Sequence, residues 1–167
     1  MTSRRDALHV VSRAALVAEA RSWVGVPFRH QGRSREGVDC AGLLVVVARA
    51  VGLPAPDIPG IAGPDYPKRP DGAALRRVLA EHLVQRPRTA DARPGDVALI
   101  RAAPPAGRSR PCHLAWVGED GRGRLTLIHA AAAGDPGTAG EGRVIEHGIT
   151  GEWRARIVSV WTVPGVG

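Results

Sequence analysis

Cys40 is the residue of this chain best placed to do chemistry. It lies directly before Ala41-Gly42 and a long apolar run, LLVVVARAVG. A cysteine attacks as its thiolate, and the positive end of a helix stabilises that charge and lowers the thiol pKa. If the run after Cys40 is helical, the thiol sits in the first turn beside a glycine-containing loop that admits substrate. Asp39 is then placed to cap that helix. The plainer alternative is an inert buried cysteine.

His113 opens a strand-like run (HLAWVG) and His129 closes another (LTLIHA), with a short turn between them. Antiparallel pairing of these runs brings both imidazoles toward one end of a sheet. One imidazole then takes the thiol proton, while the second orients the first and stabilises the imidazolium. Each histidine alone reads as a strand-end residue satisfied by solvent or backbone. The joint pattern is what points to nucleophilic catalysis.

Cys112 complicates this picture. Successive strand residues point to opposite faces, so if His113 faces Cys40, Cys112 faces away. It is then neither the nucleophile nor an easy disulfide partner. A zinc site from Cys40, Cys112, His113 and His129 is the rival chemistry. It lacks the short ligand spacing of structural zinc motifs, and adjacent strand residues both ligate only at a bulge. No metal and no other cofactor is expected. His30, in the loop before Cys40, is within reach of a cleft there or is simply solvated. His9, His82 and His147 read as surface positions. Trp116, Trp153 and Trp161 read as packing residues at strand positions, and Asp96, after Pro94-Gly95, as a turn-to-strand device. No glycine-rich phosphate loop, paired-carboxylate motif or zinc-protease helix signature is present.

The elements that must position these residues follow from periodicity. Val11, Ala15, Leu16, Ala20 and Trp23 fit one face of a helix that begins at about Ser12 and stops at Gly25 and Pro27, with residues 1–11 looser. Phe28 to Val38 is a polar loop. The apolar run after Cys40 suits a buried helix or a buried strand, and its length and the Gly52/Pro54 stop favour the helix. Pro54 to Pro70 holds six prolines and is irregular. Asp71 caps a short helix with Leu75, Val78, Leu79 and Leu83 on one face. After Pro94-Gly95 come short β-like runs: Asp96 to Arg101, His113 to Gly118, Leu125 to Ala130, Arg143 to His147 and Arg156 to Val163. Helices first and consecutive strands later predict an α+β domain on an antiparallel sheet.

Composition bounds the rest. The chain has 167 residues and 44% hydrophobic content, which suits a single folded domain over 1–167 and argues against disorder. The formal charge is +7, with Lys68 the only lysine. The arginines are scattered, so no nucleic-acid partner is expected, although a positive field favours polyanions. No apolar stretch approaches the roughly 20 residues that span a bilayer. Arg13, Glu19 and Arg21 break the N-terminal apolar run too early for a signal peptide, so cytoplasmic synthesis without an export signal is expected.

Taken in order, five stretches resemble the NlpC-type, papain-like cell-wall peptidase family. They are Ala20-Arg21-Ser22-Trp23-Val24-Gly25-Val26-Pro27-Phe28, Asp39-Cys40-Ala41-Gly42-Leu43, Pro94-Gly95-Asp96-Val97, His113-Leu114-Ala115-Trp116-Val117 and Leu127-Ile128-His129-Ala130. Phe28-Arg29-His30-Gln31, and Trp153-Arg154-Ala155-Arg156-Ile157 leading to Pro164, are similar to the subgroup found in phage and gene-transfer-agent tail clusters.

The resemblance implies N-terminal helices packed on an antiparallel sheet of about five to six strands, with the nucleophile at the start of the central helix. It implies a thiol endopeptidase that cuts peptidoglycan stem peptides around the γ-D-glutamyl to diamino-acid bond. Phage-like tail proteins are the implied partners, and the wall, reached as part of a released tail particle, is the implied site of action. Cys40 would be the nucleophile, His113 the general base and acid, and His129 the orienting third member. Asp39, Phe28 and His30 would lie on the substrate side. Many members carry tyrosine where this chain has Phe28, and serine where it has Ala41. Phe28 cannot donate a hydrogen bond, so the oxyanion must rely on backbone N–H groups, such as that of Cys40, or on another donor. One lost donor costs roughly 3 kcal/mol of transition-state stabilisation.

Overall fold

A computed structural model describes residues 10–55, 71–101, 111–135 and 137–167. Three helices start where a short polar side chain can take the first unpaired N–H groups. Helix α1 (Arg13–Arg21) begins at Ser12, whose hydroxyl accepts from the Ala15 amide. Helix α2 (Cys40–Ala50) begins at Asp39, which accepts from Gly42 N–H, and helix α3 (Gly72–His82) at Asp71, which accepts from Ala73 N–H. The helix/strand ambiguity of the apolar run is thereby resolved as helix. Gly52 follows α2 at a φ of 82°, a left-handed stop that glycine adopts without strain.

The stretch ahead of α1 is less loose than expected at its inner end. Val11 is buried and pairs with Val166, its amide donating to the Gly165 carbonyl at 2.8 Å. Residues 1–9 and the bulk of the proline-rich segment, 56–70, lie outside the described residues. The loop from Phe28 to Val38 carries a two-residue hairpin, β1 (Arg33–Ser34) with β2 (Gly37–Val38).

The second half is the antiparallel sheet that the turn spacing predicts. Its strands are β3 (Val84–Gln85), β4 (Val97–Arg101), β5 (Pro111–Glu119), β6 (Leu125–Ala131), β7 (Arg143–Gly148) and β8 (Ile157–Thr162). They lie in the order β3-β8-β4-β5-β6-β7, so the last strand returns to pair with the first long one. Two features were not anticipated. β3 is a short edge strand against β8. Trp153 sits in a short helix, α4 (Gly151–Arg156), and not at a strand position.

Side-chain alternation gives the sheet two different faces. Val97, Leu99, Leu114, Trp116, Ile128 and Trp161 pack with Leu16, Leu43, Val47 and Leu75 from the three helices. Ala98, Ile100, Ala115, Val117 and Leu127 pack with Trp153 of α4 on the other side. The chain thus buries a large core on one face and a smaller one on the other.

Asp96 does more than turn the chain into a strand. It is 0% exposed and accepts from Arg13 Nη1 at 2.9 Å, Arg86 Nε at 2.8 Å, the Arg93 amide at 2.9 Å and the Thr162 hydroxyl at 3.1 Å. One carboxylate therefore ties α1, the segment after β3, the turn before β4 and strand β8 together. Burial alone would raise its pKa. The hydrogen bonds from Arg86 and Arg13 outweigh burial and hold it below the ordinary carboxylate value. Removing one member of such a group strands buried charge, so Asp96→Ala is expected to cost about 3–5 kcal/mol in denaturant unfolding. A loss below about 1 kcal/mol, the range of an exposed pair, would contradict that role.

Candidate active site

Cys40 is the first residue of α2, and its position is set by the loop that packs across the helix start. Asp39 is 3% exposed, and its two oxygens face opposite ways. One accepts from Gly42 N–H at 2.8 Å and the other from Gln31 N–H at 2.7 Å. The same carboxylate lies 3.7 Å from His30 Nδ1 and 3.8 Å from Arg33 Nη1. Gly42 is required here because a side chain would run into the Gly32 carbonyl oxygen and the Asp39 carboxylate. The loop thereby locks the first turn of α2 and fixes where the thiol points.

The sulfur lies against strand β5. Hydrogen bonds from the Leu114 and Ala41 backbone amides reach it, and Leu114 is the residue directly after His113. Neither Cys40 nor Cys112 is in a disulfide. The pairing of β4 with β5 slips at this end: Ile100 is opposite His113, but Arg101 is opposite Pro111. Cys112 is the extra residue of that bulge, and simple alternation cannot be carried through it. The alternation argument for Cys112 turning away from Cys40 therefore does not extend through this end of β5. The Cys112 thiol is near enough that its charge would oppose a Cys40 thiolate. Among the described residues no group of three or more His, Cys, Asp or Glu side chains is arranged to hold a metal ion.

His113 and His129 meet as the strand reading predicted. His113 Nε2 lies 2.8 Å from His129 Nδ1, with the rings edge to face and 4.8 Å between centroids. The contact continues beyond the expected pair. His129 Nε2 lies 2.9 Å from His147 Nε2, and His147 Nδ1 lies 3.0 Å from the Gly148 carbonyl oxygen. Register explains the line. Trp116 is opposite Ile128, and Leu127 is opposite His147. The three histidines therefore share one face and run diagonally across β5, β6 and β7, at offsets that long side chains bridge. Trp153 of α4 packs over this line, 5.3 Å from the His129 ring and 4.3 Å from the His147 ring. Arg156 stacks on the same indole at 4.0 Å.

His147 was assigned to the surface by sequence, and the structure corrects this. A strand-phase signal was present: His147 follows Ile145 by two residues, on the face that also carries His129. Trp153 reads as a strand residue in the sequence, which hides its place over the diagonal. Of the expected substrate-side residues, His30 is beside Asp39. Phe28 packs against the main core and pairs with Val38 and Gly142 through its backbone. Asp39 is occupied by the helix start and the loop.

Burial governs the charges. Desolvation, reinforced by the neighbouring Asp39 carboxylate, pushes the Cys40 thiol up to about 12, against the pull of the two backbone amides. Desolvation also pushes His113 down to about 4, and it lowers His129 as well, with the His113, His147 and Arg156 charges adding to the effect there. The helix start was expected to lower the thiol pKa; the loss of water outweighs it. At neutral pH the resting pair is a thiol and a neutral imidazole.

Comparison with known proteins agrees with this architecture. "Probable endopeptidase NlpC" of Escherichia coli K12 is 43% identical over 44 residues, 26% of this chain and 27% of that protein. The NlpC/p60 domain of the peptidoglycan hydrolase SagA is similar with a TM-score of 0.52 and 23% identity, over 90% of this chain and 98% of that one. An NlpC/p60 family protein from Bacillus cereus gives a TM-score of 0.59 at 16% identity, over 90% of this chain and 40% of that one. The matches thus span about a quarter of the curated relative and less than half of the Bacillus cereus chain. No protein-family model matches. No described helix is long and apolar enough to cross a membrane. The α+β fold is the one seen in NlpC/p60 structures, and the short segment of higher identity supports the same relationship.

The thiol chemistry has a direct reading. Alkylation of Cys40 by iodoacetamide is expected to be slow at pH 7 and to keep rising beyond pH 9. A rate that is already on a plateau at pH 6 would reveal a preformed thiolate and contradict the neutral pair.

Proposed function

We propose that residues 1–167 form one cysteine endopeptidase unit that hydrolyses an amide bond in peptidoglycan stem peptides, of the γ-D-glutamyl to diamino-acid type. The observation that carries this reading is the 2.8 Å His113–His129 contact, made beside the strand residue whose amide reaches the Cys40 sulfur. A capped helix start, a half-buried thiol and an oriented imidazole are the parts nucleophilic acyl transfer needs. The NlpC/p60 fold and the SagA domain, a peptidoglycan hydrolase domain, support the substrate class.

His129 engages His113 Nε2, so Nδ1 is the ring nitrogen that serves the thiol. As the Cys40 sulfur attacks the carbonyl carbon, its proton passes to His113. Backbone N–H groups at the start of α2 hold the oxyanion, since Phe28 has no hydroxyl to offer. The C–N bond then breaks, and His113 returns the proton to the leaving amine. Water, deprotonated by His113, attacks the thioester and releases the acid and the thiol. Asp39 acts here through the loop and the helix start, and His30 and Phe28 border the approach to the thiol. The sequence stretches Phe28 to Gln31 and Trp153 to Pro164 support action on the wall as part of a phage-like or gene-transfer-agent tail.

The test is product analysis by mass spectrometry on purified peptidoglycan. The parent chain is expected to release fragments with new amino and carboxyl ends at a stem-peptide amide. Cys40→Ala is expected to release none while its circular dichroism is unchanged. Equal release by both proteins would refute the nucleophile, and fragments cut at a different bond would reassign the substrate.

A further inference from the structure

The three-histidine diagonal ends on an acceptor that cannot donate. The Gly148 carbonyl lies 3.0 Å from His147 Nδ1, so Nδ1 must carry the hydrogen. A neutral imidazole has one N–H, so His147 Nε2 is then an acceptor. His129 Nε2, 2.9 Å away, must donate to it, which leaves His129 Nδ1 as an acceptor. His113 Nε2, 2.8 Å away, must donate in turn, which leaves its Nδ1 unprotonated. The reverse polarity would set the lone pair of His147 Nδ1 against the lone pairs of the Gly148 carbonyl oxygen, which also accepts from the Thr150 amide.

We propose that His147, anchored by the Gly148 carbonyl, is a positioning residue that fixes the hydrogen-bond direction through His129 and so selects the His113 tautomer able to take a proton at Nδ1. The proposal rests on His113 being the base, and extends that reading from the orienting residue to the element that orients it. Burial favours neutral rings at His113 and His129. Around His113 stand Asp135 from the turn after β6, Asp39 before α2, Arg156 of α4 and His147 of β7. Around His129 stand His113, His147 and Arg156, all of which oppose a positive ring. Trp153 packs on the His129 and His147 rings and holds their planes.

The experiment uses the full chain with 15N-labelled histidine, reading ring tautomers by two-bond 15N–1H correlation at pH 7, alongside steady-state kinetics on peptidoglycan fragments. The parent protein is expected to show His113 as the Nε2–H tautomer. His147→Phe keeps a ring against Trp153 but cannot accept a hydrogen bond. It is expected to mix the His113 tautomers and to lower kcat by about tenfold or more with KM little changed. His147→Gln can accept from His129 through its carbonyl oxygen and donate to Gly148 through its amide, and is expected to restore the tautomer and most of kcat. His113 as the Nδ1–H tautomer in the parent protein would overturn the proposal without any variant. So would an unchanged kcat in His147→Phe, or a His147→Gln protein as slow as His147→Phe. The spectra need no substrate, so they judge the relay even if peptidoglycan is not cut.

Discussion

An imidazole taken out of water must find partners for both ring nitrogens inside the protein, and it loses its positive charge in doing so. The arrangement around Cys40 follows from that constraint. His113 is half-buried, His129 is 1% exposed, and each satisfies the next in a line that finishes on a backbone carbonyl. Burial also raises the thiol, so Cys40 and His113 both rest uncharged. In the function proposed for them, charge separation is confined to the moment of attack.

The fold sets the geometry of that line through strand adjacency and register. Strands β5, β6 and β7 are adjacent, so residues far apart in sequence fall on one diagonal. Helix α2 packs on the opposite face and brings its first residue to the end of β5, where the bulge at Cys112 breaks the regular ladder. The 28–38 loop fixes α2 through Asp39 and the bare backbone of Gly42. Trp153 covers the diagonal from the far side, and Asp96 clamps the sheet to α1. The Trp153 and Asp96 contacts are remote from Cys40 in sequence, yet they tie down elements that carry the imidazoles and the helix.

Much of this was legible in the residues. Ser12, Asp39 and Asp71 are helix caps by type and position, and all three cap helices. The five β-like runs after Pro94-Gly95 are the five longer strands. Cys40 at a helix start and the contact of His113 with His129 were also readable, because a cap, a strand end and a short turn are local signals. What was missed depends on tertiary context. Helix α4 is short, and Trp153 within it mimics a strand residue. The bulge at Cys112 leaves no sequence mark, since one extra residue shows only when the partner strand is known. His147 looked exposed because its environment is made by Trp153 and His129 from two other elements. Asp96 reads as turn chemistry until Arg13 and Arg86 arrive to pair with it.

The most direct measurement is an NMR pH titration of the His113 ring in the parent protein. The account predicts that it stays neutral down to about pH 4, since burial disfavours its protonated form. A midpoint near the ordinary histidine value of about 6.5 would mean the ring is solvated, and the neutral relay would not exist as described.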